Sequence, residues 1–152
     1  MAKVEKHTIR PLAERPAYLD IVARWVWENW NEQSGLDEEE TRKRLGNPKP
    51  VDCPATLVAE ENGAPVGVLG FQRIVRSPGE PASLFVDVLF VPESERGRGI
   101  GSALLREGVE LARRFGPDVY VYSAQSDWYQ RHGWTVLRVD PVSHLFVLSR
   151  SL

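Results

Sequence analysis

From Pro16 onward the apolar residues Tyr18, Ile21, Val22 and Trp25 recur at i, i+3, i+4 and i+7, the spacing that lines one face of a helix. Leu19, Val26 and Trp30 widen this stripe, which predicts a helix covered on more than one side. The next segment, SGLDEEETRKRLG, places acids first and bases last. That order complements a helix dipole, and Gly46 with Pro48 supplies the stop. Ahead of both helices, Lys3 to Arg10 is short and mixed and reads as a first strand.

The period then changes to two. Ala55 to Glu60 leads into Asn62-Gly63 and Pro65 to Val75 returns, the pattern of a hairpin. After the breaker SPGEP, Leu84 to Val91 (LFVDVLFV) is almost continuously apolar, as in a strand buried on both faces. Its only polar residue is Asp87, which strict alternation puts on the same face as Phe85, Leu89 and Val91. A glycine-rich turn and a helix from Gly99 to about Phe115 follow, with Ile100, Leu104, Gly108, Leu111 and Phe115 as the core stripe. Val119 to Tyr122 reads as a strand, Ser126 to His132 as a short helix, and Thr135 to Val139 and His144 to Leu148 as closing strands. The expected fold is α/β: one domain over residues 1–152, built on a mixed, mostly antiparallel sheet of six or seven strands flanked by helices, with one strand-helix-strand crossover.

Composition narrows the function classes. Lys plus Arg number 19 against 21 Asp plus Glu, a net charge of −2, so the electrostatic footprint of a nucleic-acid binder is missing and no nucleic-acid partner is expected. No apolar run approaches the roughly 20 residues that span a bilayer, and no membrane partner is expected. The start, MAKVEKHTIR, has no apolar stretch after its lysines, and the single cysteine, Cys53, suits a reducing compartment; both favour the cytoplasm. His7, His132 and His144 show no ligand spacing, and no metal is expected.

The segment RGRGIGS, Arg96 to Ser102, joins the buried strand to the long helix. A helix start carries unpaired N–H groups and the positive end of the dipole, and so attracts anions. Gly97, Gly99 and Gly101 leave its backbone open, and Arg96 and Arg98 add positive charge. A diphosphate is the natural guest; the bland alternative is a glycine-rich helix start with two solvated arginines. Two phosphate-binding patterns fail on spacing. A Walker loop ends in Gly-Lys-Ser/Thr and no lysine occurs here. A G-x-G-x-x-G count from Gly97 or Gly99 ends on Ser102 or Leu104 rather than glycine.

Arg96, Gly99 and Gly101, preceded by VPESE and followed by SALL, instead meet the pattern Arg/Gln-x-x-Gly-x-Gly/Ala. Together with the later DWYQRHGW, Asp127 to Trp134, this resembles the two signatures of the GNAT superfamily of N-acetyltransferases. The resemblance is close over about Val66 to Trp134; the N-terminal helices correspond only in order. It implies acetyl-CoA as co-substrate, its pyrophosphate held by the N–H groups of the Gly97–Ser102 turn (Gly97, Arg98, Gly99, Ile100, Gly101 and Ser102, with Arg96 beside them). It also implies that the pantetheine arm pairs with the backbone of Leu89, Phe90 and Val91. Tyr129 stands at the family's tyrosine position, where a phenol protonates the departing thiolate; its other reading is a core aromatic beside Trp128. Asp87 stands where many members carry an acid, four positions before the valine that precedes the proline. It is read either as the base for the acceptor ammonium or as a structural hydrogen-bond or ion-pair partner, since a lone carboxylate in an apolar strand is costly unless paired, solvated or useful. One departure is that SAQS, Ser123 to Ser126, has no asparagine where many relatives contact the pantetheine arm. Ser123 or Ser126 can replace that contact, or Ser126 can cap the helix.

The expected activity is transfer of an acetyl group from acetyl-CoA to a primary amine by direct attack, on a small molecule rather than a protein. The alternative is an acyl-CoA-binding sensor of the same fold without turnover; a purely structural domain would rest on the tryptophan-rich first helix alone. Homodimers are common in the superfamily, and a homodimer is compatible with this chain. Trp25, Trp27 and Trp30 are read as core or as acceptor wall, and Glu38, Glu39 and Glu40 as a solvated helix start or as attractors of a cationic amine.

Overall fold

The computed structural model describes residues 7–152. Its strands are β1 (Thr8–Pro11), β2 (Leu57–Glu61), β3 (Ala64–Ile74), β4 (Ser83–Phe90), β5 (Asp118–Ser123), β6 (Thr135–Val139) and β7 (Phe146–Ser151). They form one seven-stranded sheet in the order β1-β2-β3-β4-β5-β7-β6. Every pairing is antiparallel except β4 with β5. A parallel pair needs a crossover, and α3 (Ile100–Ala112) supplies it. The other helices are α1 (Leu19–Ser34), α2 (Glu38–Gly46) and α4 (Ser126–Arg131). The first strand read from Lys3 is observed from Thr8; the earlier part of that reading lies outside the described residues.

The sheet separates two apolar clusters. On one face Leu57, Leu69, Phe71, Leu84 and Val86 pack with Ile100, Leu104 and Leu105 of α3. On the other, Val58, Val68 and Val88 pack with Tyr18 and Val22 under α1. Ile21 is 47 % exposed: the buried stripe of α1 runs through Val22 and Ala23, one helical position away from it. The start of α2 is a capping box, in which Asp37 accepts from Glu40 N–H and Glu40 accepts from Asp37 N–H. Glu38 pairs with Arg24 at 3.1 Å. Glu40 thus caps the helix start, and Glu38 ties it to α1.

Several boundaries differ from the sequence expectation: Pro16–Tyr18 is a 3-10 turn ahead of α1, β2 starts at Leu57 and β7 runs on to Ser151. The helix α3 stops at Ala112, because Arg114 and Phe115 N–H groups bond back to Leu111 and Ala112 as tight i→i+3 turns before Gly116. The last strand starts at Phe146, because Asp140 accepts from the N–H groups of Val142 and Ser143 and holds the preceding segment in a turn, with His144 at φ 63°.

The Glu60 carboxylate ties the N-terminal segment to β2. It accepts from Arg10 Nε at 2.6 Å, Arg15 Nε at 2.9 Å and the Tyr18 hydroxyl at 2.7 Å. Hydrogen bonds from Arg15 and Tyr18 lower its pKa from 4.5 to about 2. A depressed carboxylate pKa stabilises the fold above the unfolded value and loses that contribution as pH falls through the folded one. Acid titration of stability is thus expected to show a loss between about pH 4.5 and about pH 2. Glu60→Gln should flatten this window in urea melts collected across pH; an unchanged profile would show that the network contributes nothing.

Candidate active site

The site is made where β4 stops behaving as a regular strand. Leu69 pairs with Leu89 and Gly70 with Val88, but Phe71 pairs with Val86, so Asp87 is an extra residue in a β-bulge. A bulge resets the alternation. Leu84 and Val86 before it, and Leu89 and Val91 after it, pack on the α3 side, whereas Val88 and Phe90 pack under α1. The expectation that Asp87 shares a face with Leu89 and Val91 is therefore corrected: its carboxylate faces α2, where Arg44 Nη2 lies 3.5 Å from Asp87 Oδ2.

Pairing of β4 with β5 is confined to Phe85 with Tyr120 and Val86 with Val121. Beyond Val86 the strands part, and the gap opens into a cavity of about 850 Å³. Asp87, Leu89, Phe90 and Val91 of β4 and its end line one side, and Trp128 and Tyr129 of α4 another. Arg96, Gly97, Gly99, Ile100, Gly101 and Ser102 form the rim. The residues singled out from the sequence thus share one cavity, apart from Arg98. The Arg98 side chain is turned away, bonded to Glu61 and to Glu95 Oε1, so the positive charge expected from it is neutralised by acids. Arg96 also has a local task, since its Nε donates to the Val91 carbonyl at 2.7 Å and pins the strand end.

The turn itself fits an anionic group. Gly97 and Gly99 have φ of 81° and 83°, a region that L side chains rarely adopt, and a Cβ on either would meet nothing within 4 Å. No atom thus crowds the turn at these two glycines, whereas a Cβ on Gly101 would touch Trp128 and Val91 at 3.7 Å. The first hydrogen bond of α3 runs from Ala103 N–H to the Gly99 carbonyl at 3.0 Å, which leaves the N–H groups of Gly101 and Ser102 without an intrahelical partner. The Ser102 hydroxyl lies 2.9 Å from His132 Nε2, and His132 Nδ1 lies 2.8 Å from the Trp128 carbonyl. Because a carbonyl only accepts, Nδ1 carries a hydrogen and donates it to Trp128, while Nε2 pairs with the Ser102 hydroxyl. His132, read from sequence as a helix end, closes α4 and also joins it to the first turn of α3.

Tyr129 is 5 % exposed and packs edge-on to Trp128 and Trp134, with ring centroids 5.0 and 5.3 Å away. Burial alone pushes its pKa upward. Burial likewise raises the pKa of Asp87, partly offset by the charges of Lys49 and Arg44. Ser123 lines the cavity while its Oγ accepts from Gln125 N–H at 2.9 Å. Ser126 does not cap α4, whose N-cap is Gln125 with no side-chain bond. Trp25 and Trp30 pack against Phe90, and Trp30 also lines the cavity. Four residues near Asp87 were not singled out from the sequence: Arg44, Lys49, Thr56 and Gly70. Only Gly70 left a trace there, as a glycine inside a strand pattern.

The family model of the acetyltransferase (GNAT) domain matches residues 53–136, more than half of the chain. The chain belongs to that family. It is a GNAT acetyltransferase. The GNAT fold is also found by shape. An aminoglycoside 6'-N-acetyltransferase complexed with coenzyme A superposes with a TM-score of 0.73 at 17 % identity, over 95 % of this chain and 96 % of that one. The acetyltransferase of GNAT family from Streptococcus pneumoniae gives 0.69 at 17 % identity, over 97 % and 99 %. The PaiA N-acetyltransferase from Thermoplasma acidophilum, in complex with coenzyme A, gives 0.68 at 19 % identity, over 97 % and 100 %. At these identities the GNAT likeness speaks to the fold alone. A search of curated sequences gives no match. No helix among the described residues is long and apolar enough to cross a membrane.

Proposed function

We propose that this GNAT protein transfers the acetyl group of acetyl-CoA to a primary amine by direct attack in a ternary complex. The observation that carries the reading is the parted pair of strands: one cavity is shared by a bulge carboxylate, a buried phenol and an open helix start. Acetyl-CoA would supply the thioester acyl group, its pyrophosphate on the Gly97–Ser102 backbone and its pantetheine arm along Leu89–Val91. The chain's own work is then positioning and proton transfer. Asp87 takes a proton from the acceptor ammonium, since only the neutral amine attacks, and passes it to solvent; the second nitrogen proton leaves to solvent as the amide forms. Tyr129, whose raised pKa keeps it protonated, donates to the leaving sulfur and is reprotonated from solvent. The sum is one amide, one thiol and one proton released per turnover. A cytoplasmic, reducing setting suits the buried free thiol of Cys53.

The test is release of free thiol from acetyl-CoA with a panel of primary amines. Amine-dependent release supports transfer; saturable acetyl-CoA binding with no release by any amine supports a sensor instead. A pH profile tests Asp87. Because burial raises its pKa, kcat/KM should climb with pH through a limb above the ordinary carboxylate range. The acceptor amine gives a limb of its own, at about pH 10 for an alkylamine and lower for an α-amino group, which a variant at Asp87 would keep. Asp87→Asn should lower kcat about a hundredfold and remove the carboxylate limb. The same carboxylate limb in the variant would take Asp87 out of proton transfer.

A further inference from the structure

A second cavity of about 210 Å³ lies between the α1–α2 pair and the sheet. Asp87, Val88, Trp30 and Gln33 line both cavities, so a molecule held in the second meets the first at the Asp87 carboxylate. Among the described residues its charged walls are Arg44, Lys49 and Asp87, two cations against one acid. Lys49 Nζ donates to the Phe71 carbonyl at 3.0 Å, which fixes the ammonium at the wall. Thr56 is also on this wall. Thr56 is 5 % exposed, and its Oγ1 has no hydrogen-bond partner among the described residues. Gly70 keeps the space between them open: a Cβ there would sit 3.2 Å from Asp87 Oδ1 and 3.9 Å from Thr56 Oγ1.

These features select a ligand class. A buried hydroxyl left without a partner is costly, so a bound polar group gains by meeting it. Two cations beside one acid repel a molecule that carries only ammonium groups, such as a polyamine. A molecule with both an ammonium and a carboxylate satisfies all three charges. The volume suits something the size of an amino acid.

We propose that the acceptor is a small amine that also bears a carboxylate, in the manner of an amino acid. Arg44 and Lys49 hold its carboxylate, Thr56 donates to it, and its amine is presented to Asp87 at the junction of the cavities. This rests on the acetyl-transfer reading above and narrows its acceptor. The test compares matched pairs with acetyl-CoA on the intact protein: each common amino acid with a primary amine against the amine left when its α-carboxylate is removed, for example leucine against isopentylamine and phenylalanine against phenethylamine. At least one amino acid is expected to exceed its decarboxylated partner about tenfold or more in kcat/KM, the loss expected for one charge-assisted contact. Arg44→Gln and Lys49→Gln should each raise KM for that amino acid more than for its decarboxylated partner, and so narrow its advantage over the amine. Equal or better use of the decarboxylated amines would overturn the proposal, as would acceptance of no amino acid at all. The wild-type comparison stands even if a variant fails to fold. Failure of acetyl-CoA itself to bind, read by calorimetry beforehand, would mark the donor reading as the one at fault.

Discussion

Gly99→Glu is expected to abolish measurable acetyl-CoA binding while the protein stays folded. The position holds φ 83° at the N-cap of α3, and a Cβ there would meet no atom within 4 Å. The folded chain therefore has room for a side chain, and the backbone strain is about 1–2 kcal/mol. The cost to binding is larger. A carboxylate at this place would sit where the diphosphate is proposed to lie, and would displace it from the N–H groups of the turn. Loss of two charge-assisted hydrogen bonds, roughly 1.5–3 kcal/mol each, raises Kd by about a hundredfold or more before like-charge repulsion is counted. Gly99→Ala separates the contributions: it should lower stability by about 1–2 kcal/mol and weaken binding far less than the glutamate does. Calorimetry on both variants, with thermal melts to establish folding, checks this. Retained affinity in Gly99→Glu would remove the turn as the diphosphate site.

Tyr129→Phe should lower kcat by about a hundredfold and leave the acetyl-CoA Kd unchanged. A positioned proton donor contributes about 10²–10⁴-fold, and this hydroxyl is the only atom the substitution removes. The ring contacts with Trp128 and Trp134 survive in phenylalanine, so the fold should hold. The hydroxyl has no hydrogen-bond partner among the described residues, and its raised pKa has burial as its sole cause. Structure therefore has little use for it, whereas a leaving thiolate in the cavity would. Single-turnover kinetics would separate chemistry from product release. Unchanged turnover would return Tyr129 to the role of a core aromatic.

Local features of the site were legible in the sequence, and features made by distant partners were not. The glycine turn is local: positive φ at Gly97 and Gly99 and the helix start after them involve consecutive residues. The Asn62-Gly63 hairpin is local for the same reason, with φ of 53° and 75° at the turn. The bulge at Asp87 is different. A period of two carries no mark of an inserted residue, and one insertion moves everything beyond it to the other face. Arg98 illustrates the limit for charge. Beside Gly97 and Gly99 it reads as a phosphate partner, but Glu61, on a strand far back in the chain, takes its guanidinium. Arg44 and Lys49 likewise acquire meaning only when α2 and the segment after it are laid against β4. The Asp37-x-x-Glu40 capping box was present in the sequence as a spacing, and it assigns these acids to the helix start.

The central claim is that this GNAT cavity holds acetyl-CoA through the backbone of the Gly97–Ser102 turn. Calorimetric titration of the purified protein with acetyl-CoA, with pantetheine lacking the diphosphate as control, tests it most directly. Saturable one-to-one binding to acetyl-CoA, with the control bound at least about a hundredfold more weakly, is the result expected from loss of the diphosphate contacts. Equal affinity for both ligands, or no binding at millimolar acetyl-CoA, would contradict it.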